Sequence, residues 1–378
     1  MTMTVSNIVH RIREQAKGAG FALKSTHTYE LLASAFGQGT WASFTTRYWL
    51  TDSPDGPVDA VGERPETTHT LVAARALQLG LEPASAPQLG TLVLNAVQAA
   101  RLGKVEKAAF DRLRLAGLRL PAGLPQSPLF ISQLSAAASA GDAQAHHRLA
   151  AIYRCKRPNP YLYDESLKGR TLTAQETKWV DEYLVQAQHY PLYQAHLKAA
   201  AQGGVRAAAL EYAEAFEDPS FFDLADRLSG PVDAKRMAQA APDASARHKW
   251  LRVAGQHDLE ALEELASEGD ADAMQQLAIA GDAYHLRALA ERALEDGKQI
   301  EAWAWQYIAL AHGHDLTRST LAARHDGGSH HGEFYDSDFG GPLFVDGEEG
   351  IELPQLPRRQ MAEAKRLAKE RMSAQSLD

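Results

Sequence analysis

Apolar residues recur along this chain at the three-and-four spacing of helix faces, and few stretches alternate with the period of two that marks a strand. In residues 1–50, Ile8, Ile12 and Ala16 share one face. A second helix opens near Ser25, carries Tyr29, Leu32, Ala33 and Phe36 on one side, and stops at Gly37. Trp41 and Phe44 close a small core. Residues 51–65 break the pattern with Pro54, Gly56, Pro57, Gly62 and Pro65, which reads as a linker. Over 66–128 the periodicity returns: Leu71, Ala74 and Leu77 precede a stop at Gly80. Leu92, Asn95, Ala96 and Ala99 precede another at Gly103, and Leu113, Ala116 and Leu118 follow. Prolines 121, 125 and 128 mark the next boundary.

From 129 to 326 one pattern repeats: apolar residues, a small pair, a glycine, then a polar residue opening a new helix. It runs Leu134, Ala137, Ala138, Gly141, Asp142; then Leu197, Ala200, Ala201, Gly203; then Trp250, Val253, Ala254, Gly255; then Trp305, Ile308, Ala309, Gly313. Shorter echoes are Gly269-Asp270 and Gly281-Asp282. Small residues let helices approach closely. Glycine takes the left-handed backbone that ends a helix, and aspartate accepts hydrogen bonds from the first turn of the next. Hairpins that cannot bury their own apolar face stack on neighbours. The expected class is therefore all-α, an α-solenoid of degenerate helical hairpins behind a small helical N-terminal domain. Between copies, Thr173 and Glu176 have capping-box spacing and open a helix expected to reach Gln188, with Trp179, Val180, Tyr183 and Leu184 on one side.

The run Glu301-Ala302-Trp303-Ala304-Trp305-Gln306-Tyr307-Ile308-Ala309-Leu310-Ala311-His312-Gly313 resembles the second helix of a Sel-one-like repeat, a branch of the tetratricopeptide superfamily. Residues 354–378, with Arg358-Arg359-Gln360-Met361-Ala362-Glu363-Ala364, look like the terminal capping helix of its bacterial members. The resemblance implies a superhelix of helical hairpins that serves as a scaffold for protein contacts, without cofactor or catalytic residues. The glycine-rich turn inside each repeat is missing in most copies, and the spacing of Gly141, Gly203, Gly255 and Gly313 is longer than the family's period. Leu23 to Ala33, with Phe36-Gly37 and Trp41-Ala42-Ser43-Phe44, resembles a short helical module near the N-termini of bacterial glyoxalase-related proteins. That likeness implies no chemistry.

Composition narrows the functional classes. The chain of 378 residues carries a net charge of -9, which argues against nucleic-acid binding by the whole surface. Residues 1–50 hold Arg11, Arg13, Lys17, Lys24 and Arg47 against Glu14 and Glu30, which keeps a nucleic-acid-associated factor as an alternative. Cys155 has no second cysteine to pair with, and no apolar leader or membrane-length run is visible. The expectation is a cytoplasmic protein without a membrane partner. No phosphate-cradling glycine loop and no His-Glu-x-x-His are found. Gly327-Gly328-Ser329-His330-His331-Gly332 misses the spacing of a nucleophile elbow.

Two segments carry candidate chemistry. Residues 327–353 form an acidic, aromatic insertion whose Phe334, Tyr335, Phe339 and Phe344, with Trp303 and Tyr307 of the preceding helix, are candidate partner-binding residues. The acidic side chains of this loop are expected to hold it against the basic last helix. The same region offers His312, His314, His330, His331 and Asp336 as an alternative metal-ligand set. Trp303 and Trp305 project about 200° apart on one helix, so either both are core or one lines an open surface. Cations around Cys155 could lower its pKa, and Pro158, Pro160, Tyr161 and Tyr163 form either a packed loop or an exposed aromatic rim. The reading is a non-catalytic scaffold or adaptor for a protein or peptide. The alternative is a metal-binding protein or enzyme built on residues 312–338.

Overall fold

The computed structural model describes residues 4–52, 65–115, 124 and 127–375. Most of the expected linker, and Ala116 and Leu118, lie outside the described residues. The fold is all-α, with two short antiparallel ladders among the described residues. The chain forms two compact units, Met1–Val232 and Asp233–Asp378. The division falls inside the stretch expected to be one continuous repeat array.

The first unit begins with α1 (Val5–Gly18), α2 (Ser25–Ala35), α3 (Trp41–Arg47) and β1 (Tyr48–Thr51). It continues with α4 (Pro65–Gln78), α5 (Ala86–Ala99), β2 (Gly103–Glu106) and α6 (Lys107–Leu115). Ile12, Leu31, Leu32 and Phe44 share one core with Val72, Leu89, Val93 and Val97. The N-terminal module is therefore half of a larger body and not a separate domain core. Gly103 does not stop a helix. The chain leaves α5 at Ala100, Arg101 takes φ 49, and Gly103 pairs with Thr51 in the β1–β2 ladder. The β-prone Tyr48-Trp49-Leu50-Thr51 supplies the partner strand, and Trp49 packs edge-on against Phe110 and Phe130 of the next core.

The same unit then runs through α7 (Pro128–Ser139), α8 (Ala143–Tyr153), α9 (Tyr161–Leu167), α10 (Ala174–Gln202), α11 (Arg206–Phe216) and α12 (Pro219–Arg227). At the α7–α8 junction Gly141 has φ 92, and Asp142 accepts from the Gln144 and Ala145 amides. Gly203 acts differently. Its φ is -78, and a Cβ there would lie 2.5 Å from the Ala143 methyl, so its role is to let α8 approach α10. α10 overruns the expected end at Gln188 and includes Pro191.

The second unit holds α13 (Ala234–Ala240), α14 (Ala244–Ala254), α15 (Leu259–Ser267), α16 (Ala271–Ile279), α17 (Ala283–Glu295) and α18 (Gln299–Ala311). It closes with β3 (Ala322–His325), β4 (Leu343–Asp346) and α19 (Arg358–Gln375). From α13 to α18, and again between α18 and α19, each helix packs on the next. Asp270 and Asp282 cap α16 and α17 as their position after glycine implies. Gly255 departs from that pattern: its φ of -61 is ordinary helix. Leu286, Leu289, Trp305, Ile308, Leu316, Ile351 and Ala368 form the core.

Candidate functional site

The expected contact surface around Trp303 and Tyr307 is covered by the chain's own C-terminal segment. The Trp303 indole donates to the Pro354 carbonyl at 2.8 Å. The Tyr307 hydroxyl donates to the Met361 sulfur at 3.7 Å, and Lys365 stands 5.2 Å above the Tyr307 ring. Burial raises the Tyr307 pKa. Trp305 faces the other way and is buried.

Residues 327–353 do not make a plain loop. Ala322–His325 pairs with Leu343–Asp346, and the enclosed turn is fixed by bonds from Tyr335 N to Ala323 O and from Asp326 N to Pro342 O. Phe334 lies exposed under the Arg324 guanidinium at 4.8 Å. Phe339, also exposed, stacks on His330 at 4.5 Å. Tyr335 and Phe344 are half-buried, beside His325 at 4.8 Å and His331 at 5.9 Å. Among the described residues no ion pair joins this segment to the basic last helix. Glu348 pairs with Arg287 of α17 at 3.1 Å, and Ile351 is buried beside Leu316. On α19, Arg371 pairs with Glu301 and Arg366 with Glu370. Those partners pair two of the six cations of α19 without the loop.

The alternative ligand set does not converge. His312 Nε2 bonds the Ile279 carbonyl at 2.9 Å, and His330 pairs with Glu333 at 2.9 Å. His331 Nδ1 accepts from the Gly327 amide. The Asp336 amide is spent on His325, a buried ring that sequence reading left out of the set. Among the described residues no three His, Cys, Asp or Glu side chains come together to hold a metal. The Cys155 thiol is not activated: burial pushes its pKa up, and it points at the Gln186 carbonyl.

A different surface stands open. The helix α10 starts from a complete capping box, with Glu176 N donating to the Thr173 hydroxyl and Thr173 N donating to Glu176. Its buried side chains, Tyr193, Leu197, Ala200 and Ala201, all lie in its C-terminal part. The N-terminal part packs on α9, which itself buries no residue. Between them Tyr161, Leu162, Tyr163, Trp179, Val180 and Tyr183 line a cavity of about 370 Å³. Tyr163 and Tyr183 form one wall, with ring centroids 5.4 Å apart. Tyr161 is 59% exposed and Trp179 49%, and Leu167, Leu184 and Val185 extend the apolar surface. Of the two readings open for the Tyr161-Tyr163 cluster, the exposed rim is the one observed. Sequence alone placed Trp179 and Tyr183 on one helix face. It held no sign that this face packs on a short helix that itself buries no residue.

Behind the groove the same unit carries a buried ionic tie. Glu211 of α11 accepts from the Tyr193 hydroxyl at 2.9 Å, pairs with Arg154 at 2.6 Å, and lies 3.6 Å from His147 Nε2. Burial alone would raise the Glu211 pKa, but His147, Arg154 and Tyr193 bring it down to about 2. Burial pushes the His147 pKa down, only partly offset by Glu211, so the ring stays neutral and accepts from Arg114 Nη1. Arg148 grips Asp111 through two bonds of 3.0 and 2.7 Å. These partners are far apart in sequence, and no motif marks them. The tie fixes α6, α8, α10 and α11 together and so holds the base of the helix that carries the groove.

No described helix is long and apolar enough to cross a membrane. Comparison with protein-family models, with curated proteins and with solved structures finds no match.

Proposed function

We propose that the protein is a non-catalytic adaptor whose α9–α10 groove grips a protein segment by one or two bulky apolar side chains. The observation that carries this reading is the exposed aromatic cavity at Tyr161, Tyr163, Trp179 and Tyr183. Large exposed apolar patches mark contact sites, and aromatic side chains supply most of the binding energy at such sites. The cavity's concave shape and volume suit an inserted side chain from a peptide segment. A flat self-association face would need no such hollow. The helix–glycine–aspartate–helix junctions support the further proposal of a Sel-one-like repeat scaffold working in the cytoplasm. A lone thiol is compatible with a reducing compartment.

The test is selection from a random-peptide library on the full chain, followed by titration against wild type and the Trp179→Ala and Tyr161→Ala variants. Both side chains are about half exposed, so folding should be retained. The selected peptides should share an aromatic or large aliphatic residue and bind each variant at least about tenfold more weakly. Peptides that bind the variants as well as wild type would remove the groove from the account. Self-association lost in the same variants would replace the peptide by a second copy of the chain.

A further inference from the structure

The β3–β4 ladder leaves one strand edge open. Thr320 N donates to Glu348 O and Asp326 N to Pro342 O, so the even-numbered residues of β3 face β4. The odd-numbered ones face the other way. Ala323 O accepts from Tyr335 N, and His325 N donates to Glu333 O. β3 is therefore an inner strand, with residues 333–335 on one side and β4 on the other. By the same alternation Leu343 and Val345 turn their N–H and C=O groups away from β3. No described residue bonds those groups. Leu343 is 47% exposed and Val345 62%, so the edge is within reach of another chain.

An open edge is a template for a further strand, with main-chain bonds giving affinity and alternate side chains giving selectivity. The two faces of β4 state what that strand should carry. Leu343 and Val345 share one face, and Phe344 and Asp346 share the other. Asp346, although paired with Arg324, stays 55% exposed. Between Arg324 and Arg358 the chain holds eight acidic side chains and no lysine or arginine. Among the described residues no ion pair neutralises Asp336, Asp338, Glu349 or Glu352. A second copy of this edge would set like charges against each other, whereas a basic strand would not.

We infer that the free edge of β4 takes up an extended segment of a basic protein partner as an added strand. Its aliphatic side chains face Leu343 and Val345, and its lysine or arginine side chains lie on the face of Asp346. Directly opposite residues share a face, so the aliphatic residues of the segment are the ones whose N–H and C=O bond β4. The edge shares no residue with the α9–α10 groove, and each reading can fail without the other.

The probe is a fluorescently labelled heptapeptide of alternating lysine and valine, titrated against the full chain at low salt. It should bind with a Kd of about 0.1 mM, and its glutamate–valine counterpart should not bind. N-methylation of its valines should abolish binding, while N-methylation of its lysines should leave most of it. Val345→Pro removes an edge N–H that no ladder bond uses and should weaken binding at least about fivefold. Val345→Lys, at an exposed position, should weaken it by a similar factor without touching the backbone. Hydrogen exchange over residues 341–347 should slow when the peptide is bound. Equal binding of the valine-methylated peptide would reduce the contact to charge attraction and overturn the inference. No binding, or full binding by both Val345 variants, would overturn it too. Self-association of the chain lost in Val345→Pro would replace the basic segment by a second copy and equally overturn it.

Discussion

The two parts of α10 are both rich in apolar residues, yet only one is core. The C-terminal part carries Ala199, Ala200 and Ala201 with Leu197, and these small side chains let α8 and α11 close on it, helped by Gly203. The N-terminal part carries Trp179, Val180, Tyr183, Leu184 and Val185, and packs on the short helix α9. Tyr193 is 4% exposed and Trp179 49%, although both are large aromatic residues of one helix. Hydrophobicity does not separate the two parts. What separates them is side-chain size around the contact and the presence of a neighbouring helix to receive it. A part that is built from large apolar residues, capped locally and left open is suited to meeting something outside the chain.

The largest expected effect comes from breaking the closed part. Glu211→Ala would leave Arg154, Tyr193 and His147 without their acceptor, and should cost about 3–5 kcal/mol in urea unfolding. Gly203→Ala comes next. Its new methyl would overlap that of Ala143, and a loss of about 1–3 kcal/mol is expected by the same measurement. Acid should act on the same part with a definite sign. The pKa of His147 is depressed in the fold, so its contribution is complete above about pH 6.5 and falls as the unfolded chain takes up a proton below that. The Glu211 contribution should then be lost between the ordinary carboxylate range and about 2. Urea midpoints across this range should fall with pH, and His147→Asn should flatten the upper step. The smallest effect belongs to the open part. Trp179→Ala should change stability by less than about 0.5 kcal/mol while reducing peptide binding.

Much of the architecture could be read from residues alone. The capping box at Thr173, the positive φ at Gly141 and the aspartate caps after Gly269 and Gly281 are local devices, and local sequence specifies them. Gly203 misled because glycine also serves close packing, which depends on a neighbour distant in sequence, and Gly255 misled because its backbone stays in the ordinary helical region. Gly103 misled because its strand partner, Thr51, lies in an earlier segment. The candidate site shows the same division. Trp179 and Tyr183 were visible as a helix face and Tyr161 and Tyr163 as a packed loop or an exposed rim, but the openness of the groove is a property of the fold. Conversely, Trp303 and Tyr307 looked available and are covered by Pro354 and α19. The metal set does not converge because His312, His330 and His331 are each engaged with a different group, the Ile279 carbonyl, Glu333 and the Gly327 amide.

Hydrogen exchange of the full chain, read peptide by peptide with and without a library-selected ligand, tests the central claim most directly. The account expects slowed exchange confined to residues 161–190, where α9 and the open part of α10 form the groove, with the C-terminal part of α10 unchanged. Protection at the β3–β4 segment around Phe334 and Phe339, with none at 161–190, would contradict it.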